Sequence, residues 1–133
     1  MKICLILVFL FLFSFSAIAK KDGKVVEKYP SGKKKQEYTL KNGIPEGKGT
    51  GWYENGQKQA ETYFKDGKKE GKWVFWYENG KKESEINYKN GKPEGKAIGW
   101  YKNGQKQAET NYKNGMPEGK ATGWYENGQK QVE

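Results

Sequence analysis

Glu37, Glu61, Glu85, Glu109 and Glu133 recur at intervals of 24 residues. Carboxylates gathered along one face are the raw material of acid–base chemistry, and a glycosidase pair can be drawn from such a ladder. Paired catalysis, however, needs two carboxyls in different environments, one keeping its proton and one ionised. Identical repetition offers no distinct acid and base. The ladder therefore reads as a solvated strand face that limits edge-to-edge aggregation. Other reagents are missing. The chain contains no His, which removes the commonest general base and metal ligand. Cys4 is its one cysteine, and Ser31 and Ser84 are the only serines after residue 19. Neither a nucleophilic triad nor a Cys/His zinc site can be assembled from this set. The expectation is a protein that is not an enzyme, with no catalytic residue, metal or cofactor.

A second column has the same spacing: Trp52, Trp76, Trp100 and Trp124, with an extra Trp73. Indole faces beside Glu61, Glu85 and Glu109 make a candidate surface for sugars, cationic groups or extended peptides. The alternative role of the tryptophans is to hold neighbouring hairpins together. A third feature is lysine density, at Lys33-Lys34-Lys35, Lys68-Lys69 and Lys81-Lys82. Net charge is +9, carried by Lys without any Arg. Lysine gives diffuse attraction to anionic lipid or cell-wall polymer rather than bidentate reading of phosphates and base edges, so nucleic acid is not an expected partner. The same charge also keeps a flat sheet soluble.

These columns need elements that repeat as they do. Each copy opens at its Trp, with Tyr53, Tyr77, Tyr101 or Tyr125 in second place and Gly56, Gly80, Gly104 or Gly128 in fifth. A divergent first copy opens at Lys28. The units are 28–51, 52–75, 76–99, 100–123 and a partial 124–133, after a lead-in over 20–27 in which Val25-Val26 begins a first strand. Mean hydropathy is −1.09, yet 15% of residues are aromatic and regularly placed. A fixed period of this size means stacked supersecondary units, ordered by repeated aromatic packing.

Each unit holds two chain reversals. One is an Asn-Gly pair (Asn55-Gly56, Asn79-Gly80, Asn103-Gly104, Asn127-Gly128), expected as a two-residue type I′ hairpin turn. The other is longer, as in Lys89 to Gly95, echoed at Asn42 to Gly47 and Asn114 to Gly119. Two reversals give two antiparallel strands per unit, hence an all-β, elongated, single-layer meander. A two-residue Asn103-Gly104 loop sets Tyr101 opposite Lys106, Gly99 opposite Ala108 and Ala97 opposite Thr110. Those residues and Tyr112 then share one side. Ile98, Trp100, Gln107, Glu109 and Asn111 share the other.

The N-terminus has a different character. Lys2 precedes the apolar run Ile3 to Phe13, and Ala17-Ile18-Ala19 forms a small-x-small site. This is the pattern of a signal peptide over 1–19, cleaved after Ala19. The expected location is the periplasm, cell surface or medium; an uncleaved segment would be an inner-membrane anchor.

From Lys28 onward the residues resemble the MORN repeat, more closely its bacterial variant with the consensus WYENGQK…YKNGKPEGKW. Within that variant they resemble antitoxin-like repeat proteins of the YwqK type. The resemblance implies an elongated twisted sheet of hairpins without catalytic activity, used as an interaction or membrane-associated scaffold. The expected function is a protein-interaction scaffold in the cell envelope, with an unknown envelope protein as partner. Binding of anionic lipid or wall polymer, and neutralisation of a toxin, are the alternatives.

Overall fold

Glycine, alanine and threonine alternating with lysine, glutamate and tryptophan drive each segment into a strand with one small, packed side and one charged side. The computed structural model describes residues 21–131. The leader over 1–19, Cys4 and Glu133 lie outside the described residues. The strands are β1 (Gly23–Lys28), β2 (Lys34–Lys41), β3 (Ile44–Pro45), β4 (Gly47–Trp52), β5 (Lys58–Lys65), β6 (Lys68–Lys69), β7 (Gly71–Trp76), β8 (Lys82–Lys89), β9 (Lys92–Pro93), β10 (Gly95–Trp100), β11 (Lys106–Lys113) and β12 (Met116–Gly123). They form one antiparallel sheet in the order β1-β2-β4-β5-β7-β8-β10-β11-β12. The two-residue β3, β6 and β9 fold back onto β2, β5 and β8. Apart from these short fold-backs each strand pairs with the next along the chain, so the fold is the all-β meander the alternation predicts.

The two reversals exchange the turn types expected of them. At Asn55-Gly56 only the glycine has positive φ, 89°. The Gly56 amide donates to the Tyr53 carbonyl and the Tyr53 amide to the Gln57 carbonyl, which makes a three-residue loop closed by a left-handed glycine. Asn55 Oδ1 accepts from the Gln57 amide, which holds the asparagine out of the left-handed region. Positive φ at both central residues occurs inside the longer reversal instead, at Asn42-Gly43, Asp66-Gly67, Asn90-Gly91 and Asn114-Gly115. There the strand turns tightly, pairs Lys89 with Lys92 and Tyr88 with Pro93, and shifts register before β10.

This exchange corrects part of the predicted pairing. Gly99 does face Ala108, and Ala97 faces Thr110, but Trp100 rather than Tyr101 is the partner of Lys106. A bulge between Gly99 and Trp100 absorbs the difference. It also swaps two side chains. Lys106 reaches Glu109 on the charged side, while Gln107 Oε1 comes to lie beside Gly99 on the packed side. The same shift recurs at Gly51/Trp52 and Phe75/Trp76.

The packed side holds the core: Tyr38, Leu40, Ala60, Thr62, Trp73, Tyr88, Ala97 and Thr110 are all buried. Trp73 belongs here, not with the tryptophan column, and its ring meets Phe64 at 5.1 Å and Tyr88 at 5.2 Å. Its indole N–H donates to the Tyr63 carbonyl at 3.0 Å, so no donor is buried unmet. In a sheet whose floor is mostly Gly and Ala, this cluster supplies the large apolar contact that small residues cannot.

Candidate binding face

Three ladders of hydrogen bonds lock each repeat to the next. The phenols of Tyr29, Tyr53, Tyr77 and Tyr101 donate to the carbonyls of Trp52, Trp76, Trp100 and Trp124 at 2.7 to 2.9 Å. Burial raises the titration of Tyr53 and Tyr77 above 10.0, keeping these donors protonated. The side-chain amides of Asn55, Asn79 and Asn103 donate to the carbonyls of Glu78, Lys102 and Glu126. At the opposite end, the carboxylates of Glu46, Glu70 and Glu94 accept from the amides of Asp66, Asn90 and Asn114. The recurrent Tyr, Asn and Glu are thus explained by contacts between units. Gly56, Gly80, Gly104 and Gly128 close the loops with φ from 83 to 91°. Tyr125 is 54% exposed and stands outside the phenol ladder.

The charged side carries the predicted tryptophan and glutamate columns, and it pairs them with lysines. Glu85 lies between Lys72 at 2.9 Å and Lys82 at 2.8 Å; Glu109 lies between Lys96 at 2.8 Å and Lys106 at 2.7 Å. Glu61 sits between Lys48 and Lys58, and Glu37 between Lys24 and Lys34. Hydrogen bonds from these ammonium groups hold all four carboxyls below their ordinary value of 4.5. The second lysine of each set also crosses to the next hairpin. Lys34, Lys58, Lys82 and Lys106 lie over the rings of Trp52, Trp76, Trp100 and Trp124, 5.4 to 5.7 Å from their centroids. All four indoles are half-buried. Each therefore has a packing role and still presents some ring to solvent.

Exposure decides the sign of this face. The Glu85 side chain is 16% exposed, against 57% for Lys72 and 48% for Lys82. Solvent meets ammonium groups with the carboxylate beneath them. A further exposed lysine, Lys65, Lys89 or Lys113, follows each glutamate by four residues and shares its side of the strand. The repeats of Glu37, Glu61 and Glu85 thus set three lysines against one glutamate on this side, while in the last repeat Lys113 also meets Glu118 at 3.7 Å. Sequence reading placed the lysine density in the clusters Lys33–Lys35, Lys68–Lys69 and Lys81–Lys82; the structure organises it in columns. The 24-residue spacing of Lys48, Lys72 and Lys96 is the signal that reveals them.

The middle unit departs from the others. Trp73 and Phe75 replace the Gly49 and Gly51 of the preceding copy, Lys69 stands in place of Pro45 and Pro93, and Glu83 in place of Gln59 and Gln107. The Lys69 ammonium sits 4.6 Å from the Trp73 ring and 4.9 Å from that of Tyr88, and burial lowers its titration. Burial also raises Glu83. Among the described residues no group of three or more His, Cys, Asp or Glu is placed to hold a metal.

Stacked hairpins joined by period-24 ladders, with one cationic side, define a single-layer β-repeat protein. The MORN repeat variant model matches it five times in tandem, over residues 21–42, 45–66, 69–90, 93–114 and 117–133. The chain belongs to that family. No curated protein and no solved structure matches it.

Proposed function

We propose that this chain is a non-enzymatic binding protein of the cell envelope, presenting one repeated cationic face to an acidic partner. The observation that carries this reading is the ratio of three lysines to one recessed glutamate in the repeats of Glu37, Glu61 and Glu85, on the side of the sheet opposite the core. Several weak contacts in register add up to an avidity that none has singly. The ladders that fix one repeat to the next support a scaffold role, because they keep those contacts in a constant relation. The envelope location rests on the leader-like residues Met1 to Ala19. Neutralisation of a toxin would use the same face against an acidic protein.

The test compares the purified protein with a variant carrying Lys48→Gln, Lys72→Gln and Lys96→Gln as baits for solubilised envelope fractions. Expected is capture by the wild type that high salt releases and the variant loses. Equal capture by both baits would remove the reading.

A further inference from the structure

The lysine columns run across the strands, along the axis on which the repeats stack. Adjacent strands lie about 4.8 Å apart, so a two-strand repeat advances roughly 10 Å and the face gains two net positive charges over that distance. That is one charge per roughly 5 Å, about the length of one pyranose in an extended chain. The face is not planar. Strands twist by roughly 20–25° each, so across the nine strands of the main path the columns wind through roughly half a turn. A flat bilayer meets one stretch of such a spiral at a time, whereas a flexible chain can follow all of it.

Lysine ammonium groups are point charges that meet carboxylate, sulfate or phosphate alike, so the spacing and twist of the columns, rather than the kind of anion, select the occupant. Duplex nucleic acid, with a persistence length of ~50 nm, is too stiff to follow a path that winds through roughly half a turn over four repeats. Beside the lysines, each repeat carries the half-buried indole of Trp52, Trp76, Trp100 or Trp124 beneath a lysine ammonium, so its emission responds to whatever that lysine binds.

Resting on the cationic-face reading above, we infer that this face binds a linear acidic polysaccharide, laid across the strands with about two anionic sugars to each repeat. The outer lysines Lys65 and Lys89 take carboxylates directly. Lys58 and Lys82 already hold Glu61 and Glu85, and they offer their remaining donors. The tryptophan column lies beside the chain's path.

The probe is a series of oligogalacturonates of increasing length, followed by tryptophan fluorescence at low salt. Four repeats span roughly 40 Å, so affinity should climb with length and level off near eight sugars, with a change in indole emission. Lys65→Gln with Lys89→Gln leaves the glutamate ladder intact and should weaken binding by roughly two- to thirtyfold, two exposed charge contacts of ordinary strength. Lys33→Gln with Lys81→Gln, which alters loop lysines bonded to Glu54 and Asn103 carbonyls, should leave it unchanged. A disaccharide binding as tightly as the longer chains would overturn the inference. So would equal losses in the two double variants, or tighter binding to phosphatidylglycerol vesicles or to single-stranded DNA. In those cases the cationic-face reading stands. Absence of binding to every one of these anions at low salt overturns both.

Discussion

Replacing Tyr77 by Phe removes one oxygen and leaves the ring in place, which isolates the ladder from the packing. The lost bond, 2.7 Å to the Trp100 carbonyl, is partly buried. Two effects oppose each other. Phe escapes the cost of desolvating a hydroxyl, while the Trp100 carbonyl loses its partner and regains only part of its hydration. An intramolecular hydrogen bond contributes about 0.5–1.5 kcal/mol net, and orphaning one buried partner shifts the balance towards loss. We expect Tyr77→Phe to destabilise by about 1 kcal/mol, lowering Tm by roughly 4 °C for a domain of this size. Tyr125→Phe is the internal control, because that phenol is 54% exposed and outside the ladder; it should stay within about 0.5 kcal/mol of wild type. Successive phenols are roughly 10 Å apart, so joint replacement of Tyr29, Tyr53, Tyr77 and Tyr101 should be near additive, at about 4 kcal/mol. That is a large part of a typical domain's 5–15 kcal/mol. Urea unfolding followed by far-UV circular dichroism gives each value from the midpoint at constant slope. Equal midpoints for the Tyr77 and Tyr125 variants would refute the ladder as a source of stability.

Three other outcomes follow from the same geometry. Trp73→Ala empties the centre of the only large aromatic cluster described in the core and should cost about 3–5 kcal/mol, read as a collapsed urea midpoint or failure to fold. Asn90→Gly should be nearly neutral, because Asn90 already has φ of 51°. Asn79→Gly should cost about 1 kcal/mol, because that side chain bonds the Lys81 amide and the Lys102 carbonyl. The glutamates paired with lysine titrate lower folded than unfolded, so their contribution is complete above 4.5 and is lost as pH falls through the folded values. Acidification below about 4.5 should therefore lower the urea midpoint, and high salt should flatten that dependence.

Much of this arrangement was legible in the chain itself, because repetition turns weak local signals into strong ones. The separation of Ala97, Gly99 and Thr110 from Ile98, Trp100 and Glu109 follows from strand alternation alone. What alternation cannot reveal is the bulge beside each Trp, since an extra residue in one strand leaves no compositional mark. It reverses the sides of Lys106 and Gln107. Nor do the two kinds of Asn-Gly differ as dipeptides. They differ in what surrounds them: Asn55 is held by its own bond to Gln57, while Asn90 joins strands already paired at Tyr88 and Pro93. Trp73 was legible in principle. It stands three residues before Trp76, and an odd offset places it on the opposite side of the strand. The lysine columns leave no mark among adjacent residues, because the neighbours that form them are 24 residues apart.

The three ladders have a consequence for how such a chain can change in inheritance. Every donor in one unit meets an acceptor of the same kind in the next, so duplication or loss of one whole unit in the coding sequence rejoins like to like. With residues 100–123 lost, the Tyr77 phenol would find the Trp124 carbonyl where Trp100 had been, like rejoined to like. The reach of the cationic side can thus be lengthened or shortened in steps without inventing a new contact. Not every step is equivalent. Loss of 76–99 takes Tyr88 away from Trp73, leaving a large indole on a floor built for small residues. Copy number is free to drift on either side of that aromatic centre, and the centre itself is the part such drift must spare.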